Sequence, residues 1–476
     1  MHRMLRRRRN SDDGPSPDLH RVGGELIDDE AMMANRISRL PKEILGTIVS
    51  LLSTKDAACT QAISHHWRPI WGSAPLNLDM NALSVNERKR INIAGSILAA
   101  HKGPVQNLVL VSNYLERCNT TFGNWLNNLP VLNNLSHLDF QFGTSSTTTI
   151  YQENSMTYSL VLVALRFSQT LQLVSLSNCC FHDDMMSRPL YFPKLRKLRL
   201  HSITASSDVL SAVISACPAL ESLMFNYTKG MRHLHVRSAS LRSISIGTTN
   251  GLKKEVGFQE IDMEDAPLLE RVIPTVLDDG PAIIRVISAP RLKVLGILPN
   301  SISIIEIGTA VIHEMPSASM AMLVPTVRIL VLQSDGPNLA AVVNLLKCFP
   351  FLEKMYIKQS LNTTVKNDLR NCVPGPVQCL EHHLKSIVLQ RYQAKTHVVN
   401  FANFFILNAK VLEVMKFGVQ NTTRDNEKWM NDQHRRLQIN NKACQDARFE
   451  FDSQYWCGYL DSSRIDDFSV SDPFDL

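Results

Sequence analysis

The side chains in this chain best suited to chemistry are two histidine pairs, His65-His66 beside Trp67 and His382-His383, together with ten cysteines. Adjacent imidazoles hold a metal only when further ligands stand at a suitable spacing, and neither H-E-x-x-H nor C-x-x-C occurs. The cysteines are scattered, with only Cys179 and Cys180 adjacent, and read as small buried apolar residues of a reducing compartment. G-x-S-x-G, G-x-G-x-x-G and G-x-x-x-x-G-K-[ST] are all absent, which leaves no nucleophile elbow and no phosphate-cradling turn. No catalytic residue, metal site or cofactor is expected. What remains is the chemistry of recognition. Lys197, Arg199 and His201 alternate along one short stretch, and Lys354, Tyr356 and Lys358 along another. On a strand each trio shares one face, and a basic face favours an acidic or phosphorylated segment of a target.

Those residues are positioned by a repeat. The phrase apolar-x-x-apolar-x-apolar starts at Val105, Leu135, Leu171, Leu195, Leu220, Leu241, Leu292, Val327, Leu352 and Leu384. Adjacent starts lie 21 to 36 residues apart, except for a gap of 51 after Leu241 that has room for a degenerate copy. The closest spacings match a leucine-rich repeat of roughly 20 to 29 residues. Proline often stands just before the phrase, as in FPKL, CPAL, APRL and FPFL, where it would end a helix and open an extended segment. Between phrases, SSDVLSAVISACP and GPNLAAVVNLLKCFP carry a capping residue, a helical apolar stripe and a terminating proline. Short strands alternating with helices at this interval predict a curved α/β solenoid, strands on the concave face and helices outside.

The segment from Asn35 to Trp71 has a different pattern. Pro41 suits a first helical position and Glu43 places a carboxylate in the first turn. Ile44, Leu45, Ile48, Leu51 and Leu52 recur along one helical face, with Leu40 standing where a polar cap is usual. Thr54 is the expected cap of a second helix that buries Ala57, Ala58, Ala62 and Ile63, and Trp67 and Trp71 follow one turn apart. Pro69 is expected to kink the third helix. So small a unit buries too little apolar surface to be stable alone, so a partner protein is its expected source of stability.

The run R-I-S-x-L-P-x-E-I-L, then S-T-K-D-A-A, then S-x-x-W-R-x-x-W resembles a plant F-box. Asn35, Ser53 and Cys59 depart from the residues usual at those places. Cys379 to Val419, with L-K-x-I-x-L-x-x-Y and N-A-x-V-L-E-x-M, is similar to the FBD region that follows leucine-rich repeats in plant F-box proteins. The resemblance implies an F-box over 35–75, leucine-rich repeats over 100–375 and an FBD region over 376–455 that closes the solenoid, while composition adds a disordered basic tail over 1–34 and an acidic tail over 456–476. It further implies docking on a Skp-type adaptor, and through it a cullin-RING ubiquitin ligase, by Leu40, Pro41, Ile44, Leu45, Ile48, Leu51, Leu52, Ala57, Ile63, Trp67 and Trp71. The repeats would then hold a target protein, with a scaffold outside any ligase as the alternative.

Charge narrows the partners. The net charge of +6 contains five arginines, Arg3 and Arg6 to Arg9, and removing them from 50 basic residues leaves 45 against 44 acidic ones. That balance gives no sign of a nucleic-acid surface, and the arginine run reads as a solvated tail or a nuclear-import patch. No apolar window reaches a membrane span, and the first thirty residues lack a secretory core, so the expected location is nucleus or cytoplasm. Asp461 to Leu476 carries five acids and one base and is expected to fray.

Overall fold

The computed structural model describes residues 37, 40–115, 118–143, 150–247, 260–276, 282–298, 302–307, 310–313, 323–334, 339–359, 376–457 and 462–475. The expected basic tail over 1–34 lies outside them. Every copy of the repeated phrase forms a strand or leads into one, because its second and third apolar residues project to one side of an extended chain. Leu198 and Leu200 of Lys197–His201 in this way enter the same buried core as Val209, Leu210 and Val213 of the helix Ser207–Ser215. Among the described residues, fourteen strands make one sheet, from Leu76–Asp79 at one edge to Arg448–Asp452 at the other, with all neighbours parallel. The apolar side chains of successive strands form one continuous core between this sheet and the outer layer. Helices are about 10 Å thick and strands sit about 4.8 Å apart, so the sheet is the inside of the curve.

Proline acts in a turn rather than as a helix stop. Leu195 N–H donates to the Phe192 carbonyl across Pro193, and the same bond closes Cys217 to Leu220, Ala266 to Leu269, Ala289 to Leu292 and Phe349 to Leu352. Each proline is the second residue of a β-turn, where its fixed φ is already correct, and the next strand starts at once. Strand ends repeat as well: Asn178, Ser202, Tyr227 and Arg391, each just past an inner strand, all have φ between 52° and 57°. A left-handed residue there swings the chain off the sheet, at a cost of about 1–2 kcal/mol each for residues other than glycine.

The expected outer helices are replaced over part of the chain. His233–Arg237, Glu260–Glu264, Ala282–Val286 and Ile302–Ile307 form a second parallel sheet, with Ala310–His313 antiparallel at its edge. These stretches alternate apolar and polar with period two, as HLHVR and EIDME show, so they cannot present a helical stripe. Leu234, Val236, Ile261 and Met263 face the core, while Arg285 on the outside pairs with Glu260, Asp262 and Glu306. The strand Arg271–Val276 fills the gap of 51 residues. It is the degenerate copy, starting at Leu269 with Pro274 in the third apolar place, paired with Ile246. The FBD stretch continues the same sheet through Ser386–Gln390, the helix Thr396–Asn408 and Val414–Gly418.

At the other end lie three short helices, α1 (Lys42–Ser50), α2 (Thr54–Cys59) and α3 (Arg68–Ser73). Pro41 is the residue preceding α1, and Ser53 rather than Thr54 caps α2, accepting from Asp56 N–H at 3.2 Å. Thr54 instead donates to the Asn77 carbonyl at 2.5 Å and so ties α2 to the first strand. Pro69 sits in the first turn of α3, where no intrahelical acceptor is lost, so the expected kink does not arise. His101 Nε2 reaches the Ala74 carbonyl at 2.8 Å with its ring edge-on to Trp71, and Lys102 and Gly103 donate to the Gly72 carbonyl, which fixes α3 to the solenoid.

Candidate protein-interaction faces

Two faces carry the chemistry foreseen in the sequence. The first is the outer side of the three helices. Leu45, Val49, Ala57, Trp67 and Ile70 close into a small core of their own, with Trp71 packed against it and against the solenoid. Leu40, Pro41, Ile44, Ile48, Leu51, Leu52 and Ile63 remain exposed, Ile44 at 47%, Ile63 at 61% and Leu51 at 81%. The expected adaptor face is therefore corrected at Leu45, Ala57 and Trp67, which are sealed inside the unit, and at Trp71, which is half-buried. Helical geometry decides this split, because α1 turns Leu45 and Val49 inward and so must turn Ile44 and Ile48 out. Ile63, expected on the buried side of α2, lies beyond its end and faces solvent.

The second face is the inner side of the large sheet. Its side chains form ladders, because parallel neighbours place equivalent residues side by side: Lys197 beside Ser222, then Ser243, Arg271 and Val294, and Arg199 beside Met224, Ser245 and Ile273. Further along, Lys354 and Tyr356 stand beside Ile329 and Val331. Between the cationic strands Lys197–His201 and Lys354–Gln359 the face is mostly apolar or small, with Met224, Ile273, Val294, Ile329 and Val331, and Arg271 stands among them. All six expected target-binding residues lie on this inner side.

The face is not empty. The carboxyl-terminal segment, expected to fray, lies across it. Asp466, with its side chain 1% exposed, accepts from Lys197 Nζ at 3.2 Å and from Arg199 Nε at 2.8 Å. Arg271 Nη1 donates to the carbonyls of Arg464, Ile465 and Asp467 at 3.1, 2.9 and 3.1 Å, and Nη2 donates to Val470. Phe468 lies under the Arg242 guanidinium, 3.9 Å from ring centre to Cζ. Asp472 accepts from Lys354 Nζ at 2.9 Å and from the Tyr356 hydroxyl at 2.8 Å, and Asp475 accepts from the Tyr455 hydroxyl at 2.9 Å. Ile465, Phe474 and Tyr455 then complete an apolar cluster with Met224, Ile273, Val331, Tyr356 and their neighbours.

The electrostatics follow from this cover. Burial lowers the Arg271 guanidinium from its usual value. At Lys354 burial acts the same way, but Asp472 and Asp475 outweigh it and hold the ammonium above its ordinary value. Burial, reinforced by Asp472, pushes the Tyr356 phenol up. Four of the six expected residues, Lys197, Arg199, Lys354 and Tyr356, are thus engaged by the chain itself. His201 and Lys358 lie one ladder further along and make no hydrogen bond or ion pair with the segment among the described residues. Burial and the nearby Arg391 lower the Lys358 ammonium. Sequence reasoning did not single out Arg271, Tyr455, Asp466, Asp472 or Phe474. The available signal was complementarity, an acidic terminus in a chain whose repeats carry basic strands. Among the described residues no cluster of three or more His, Cys, Asp or Glu is placed to hold a metal, and no helix is long and apolar enough to cross a membrane.

A strand-lined parallel solenoid is the architecture of the leucine-rich-repeat class. Comparison with known proteins agrees. Residues 122–357 match the family profile described as FBD-associated F-box protein At5g56370, LRR repeats, and residues 374–417 match the FBD profile. The chain is similar to the Arabidopsis thaliana F-box/FBD/LRR-repeat protein At1g13570, 26% identical over 49% of this chain and 52% of that protein. It is also similar to the putative F-box/LRR-repeat protein At3g58880, 29% identical over 45% and 47%, and to the putative F-box/FBD/LRR-repeat protein At5g56810, 22% identical over 80% and 88%, both from the same plant. The chain spans about half the length of the first of these relatives. The repeats and the FBD region place it among the plant F-box/FBD/LRR-repeat proteins.

Proposed function

We propose that this chain is the substrate-recognition subunit of a Skp-cullin-F-box ubiquitin ligase. The helices α1 to α3 serve as the F-box and dock a Skp-type adaptor, the repeats hold a target protein, and the catalytic steps belong to other subunits. The chain then accelerates ubiquitin transfer by holding a target lysine near the charged conjugating enzyme. It acts in nucleus or cytoplasm, where such ligases and their targets meet.

The observation that carries this reading is the exposed apolar edge of the helices. A unit that already has its own core, Leu45, Val49, Trp67 and Ile70, keeps Leu40, Ile44, Ile48, Leu51 and Leu52 outside it. A cap serving only the solenoid would turn that edge inward. The family names of its relatives support the same reading, since they carry the word F-box.

The test is an adaptor pull-down with the full chain carrying Ile44→Asp, Ile48→Asp and Leu51→Asp. These positions are exposed, so the fold should persist with an unchanged melting transition. Each buried interface anchor is worth about 2 kcal/mol or more, so binding should fall by well over 100-fold. Undiminished binding of the triple variant would remove the basis for the proposal.

A further inference from the structure

We propose that the inner face between the strands Lys197–His201 and Val414–Gly418 is a recognition groove for an acidic and aromatic segment, and that the chain's own residues 464–475 hold it in cis until a target segment of the same chemistry replaces them. The inference rests on the reading above, in which the repeats hold the target.

Three features separate this cover from ordinary core. The first is how it is held. The segment adds no strand to the sheet: it consists of a four-residue helix, Ser462–Ile465, followed by turns, and its bonds come from side chains of the face. It can therefore leave without opening any ladder. Arg271 donates to four carbonyl groups of the segment, those of Arg464, Ile465, Asp467 and Val470, and a backbone carbonyl is an acceptor that any peptide offers.

The second feature is what its departure would leave. Lys197, Arg199, Arg271, Lys354 and Lys416 would line one face around an apolar floor of Met224, Ile273 and Val331. A face of clustered cations around an apolar patch is what a peptide with carboxylates flanking apolar anchors requires. The segment supplies that pattern: Asp466 for Lys197 and Arg199, Ile465 and Phe474 for the floor, Asp472 for Lys354, and Asp475 near Lys416 at 3.7 Å.

The third feature is shape. Gly296 opens the floor beneath Phe474, since a Cβ there would come within 2.7 Å of the Phe474 ring. The ring also lies against Tyr356, with centroids 5.7 Å apart. The face thus contains a slot for one aromatic side chain. A target that displaces the segment would need acidic groups on both sides of such a ring. Because the segment is tethered, it acts at a high effective concentration, which weakens any competing segment by about 100-fold or more.

The experiment uses the full chain with a site-specific protease sequence placed between Cys457 and Ser462, cut only after folding. The probe is a fluorescent synthetic peptide of residues 462–476. The cut protein should take up the probe saturably, unlabelled peptide should compete, and the uncut protein should bind it at least 100-fold more weakly. A probe carrying Asp466→Lys and Asp472→Lys should bind at least 10-fold more weakly than the native one. The proposal is overturned if the cut protein, with its melting transition intact, neither releases its segment nor takes up the probe. It is equally overturned if the charge-reversed probe binds as well as the native one. Adaptor binding is measured on the same sample, so loss of docking with intact peptide exchange counts against the ligase reading alone, and the reverse against the groove alone.

Discussion

At the scale of single residues, the inner face shows how few atoms decide whether it is open or covered. Asp466 is a buried carboxylate that is tolerable because two cations meet it, and removing the carboxylate leaves Lys197 and Arg199 side by side without a counter-charge there. Gly296 is the steric counterpart. Its missing Cβ is the space that Phe474 fills, with Val331 Cγ2 at 3.4 Å on the other side. Gly296→Ala should therefore overpack the slot, cost about 1–3 kcal/mol, and speed tryptic cleavage after Arg464 as the segment loosens. Combining it with Phe474→Ala should recover much of that loss, since the small side chain leaves room for the added methyl group. A double variant no more stable than Gly296→Ala alone, in thermal melts, would show that the ring and the glycine are not coupled.

At the scale of elements, two kinds of junction matter. The seam between α3 and the solenoid passes through His101, whose Nε2 is bonded to the Ala74 carbonyl while Nδ1 is buried without a hydrogen-bond partner. Burial lowers the pKa of this imidazole below its usual 6.5, with the Ala74 bond opposing. The unfolded chain therefore takes up the proton first as pH falls. His101 contributes its full stability at neutral pH and loses it as pH drops below about 6.5 toward the folded value. His101→Gln should flatten the acid side of the stability curve relative to the parent chain, read as the difference between their melting temperatures from pH 7 to 5. An equal acid slope in both proteins would place the sensitivity elsewhere. The other junction lies between successive strands. Residues just after the first apolar position form ion pairs between neighbouring strands, Arg196 with Glu221, Arg242 and Lys293 with Glu270, Arg328 with Glu353, and Lys385 with Glu413. Exposed pairs of this kind add at most about 1 kcal/mol each, so the ladder specifies neighbour order more than it stabilises.

At the scale of the whole molecule, the solenoid is a row of units that each touch their neighbours, so damage should stay local. Phe140 is fully buried and stacks on Phe142 at 5.2 Å. Phe140→Ala should cost about 3–5 kcal/mol, and hydrogen exchange should quicken in Val105–Ser112 and Leu173–Ser177 while Ser386–Gln390 keeps its protection. Uniform loss of protection would mean the sheet melts as one unit. The same locality explains what could be read without coordinates. The strand phrase, the proline turn and the amphipathic α1 are each set within about ten residues, so their physics is written in adjacent side chains. The strand at Arg271–Val276 was harder to see because Pro274 takes an apolar place, and the outer sheet because short alternating strands sat where helices were expected. Which residues of α1 to α3 face outward needed the third helix in place, since only packing separates Leu45 from Ile44. The sequence by itself determined a repeat with basic inner strands and an acidic terminus. Only the tertiary structure brought the two together, because Asp466 and Lys197 lie 269 residues apart and no local pattern records a contact between parts of a chain so far removed.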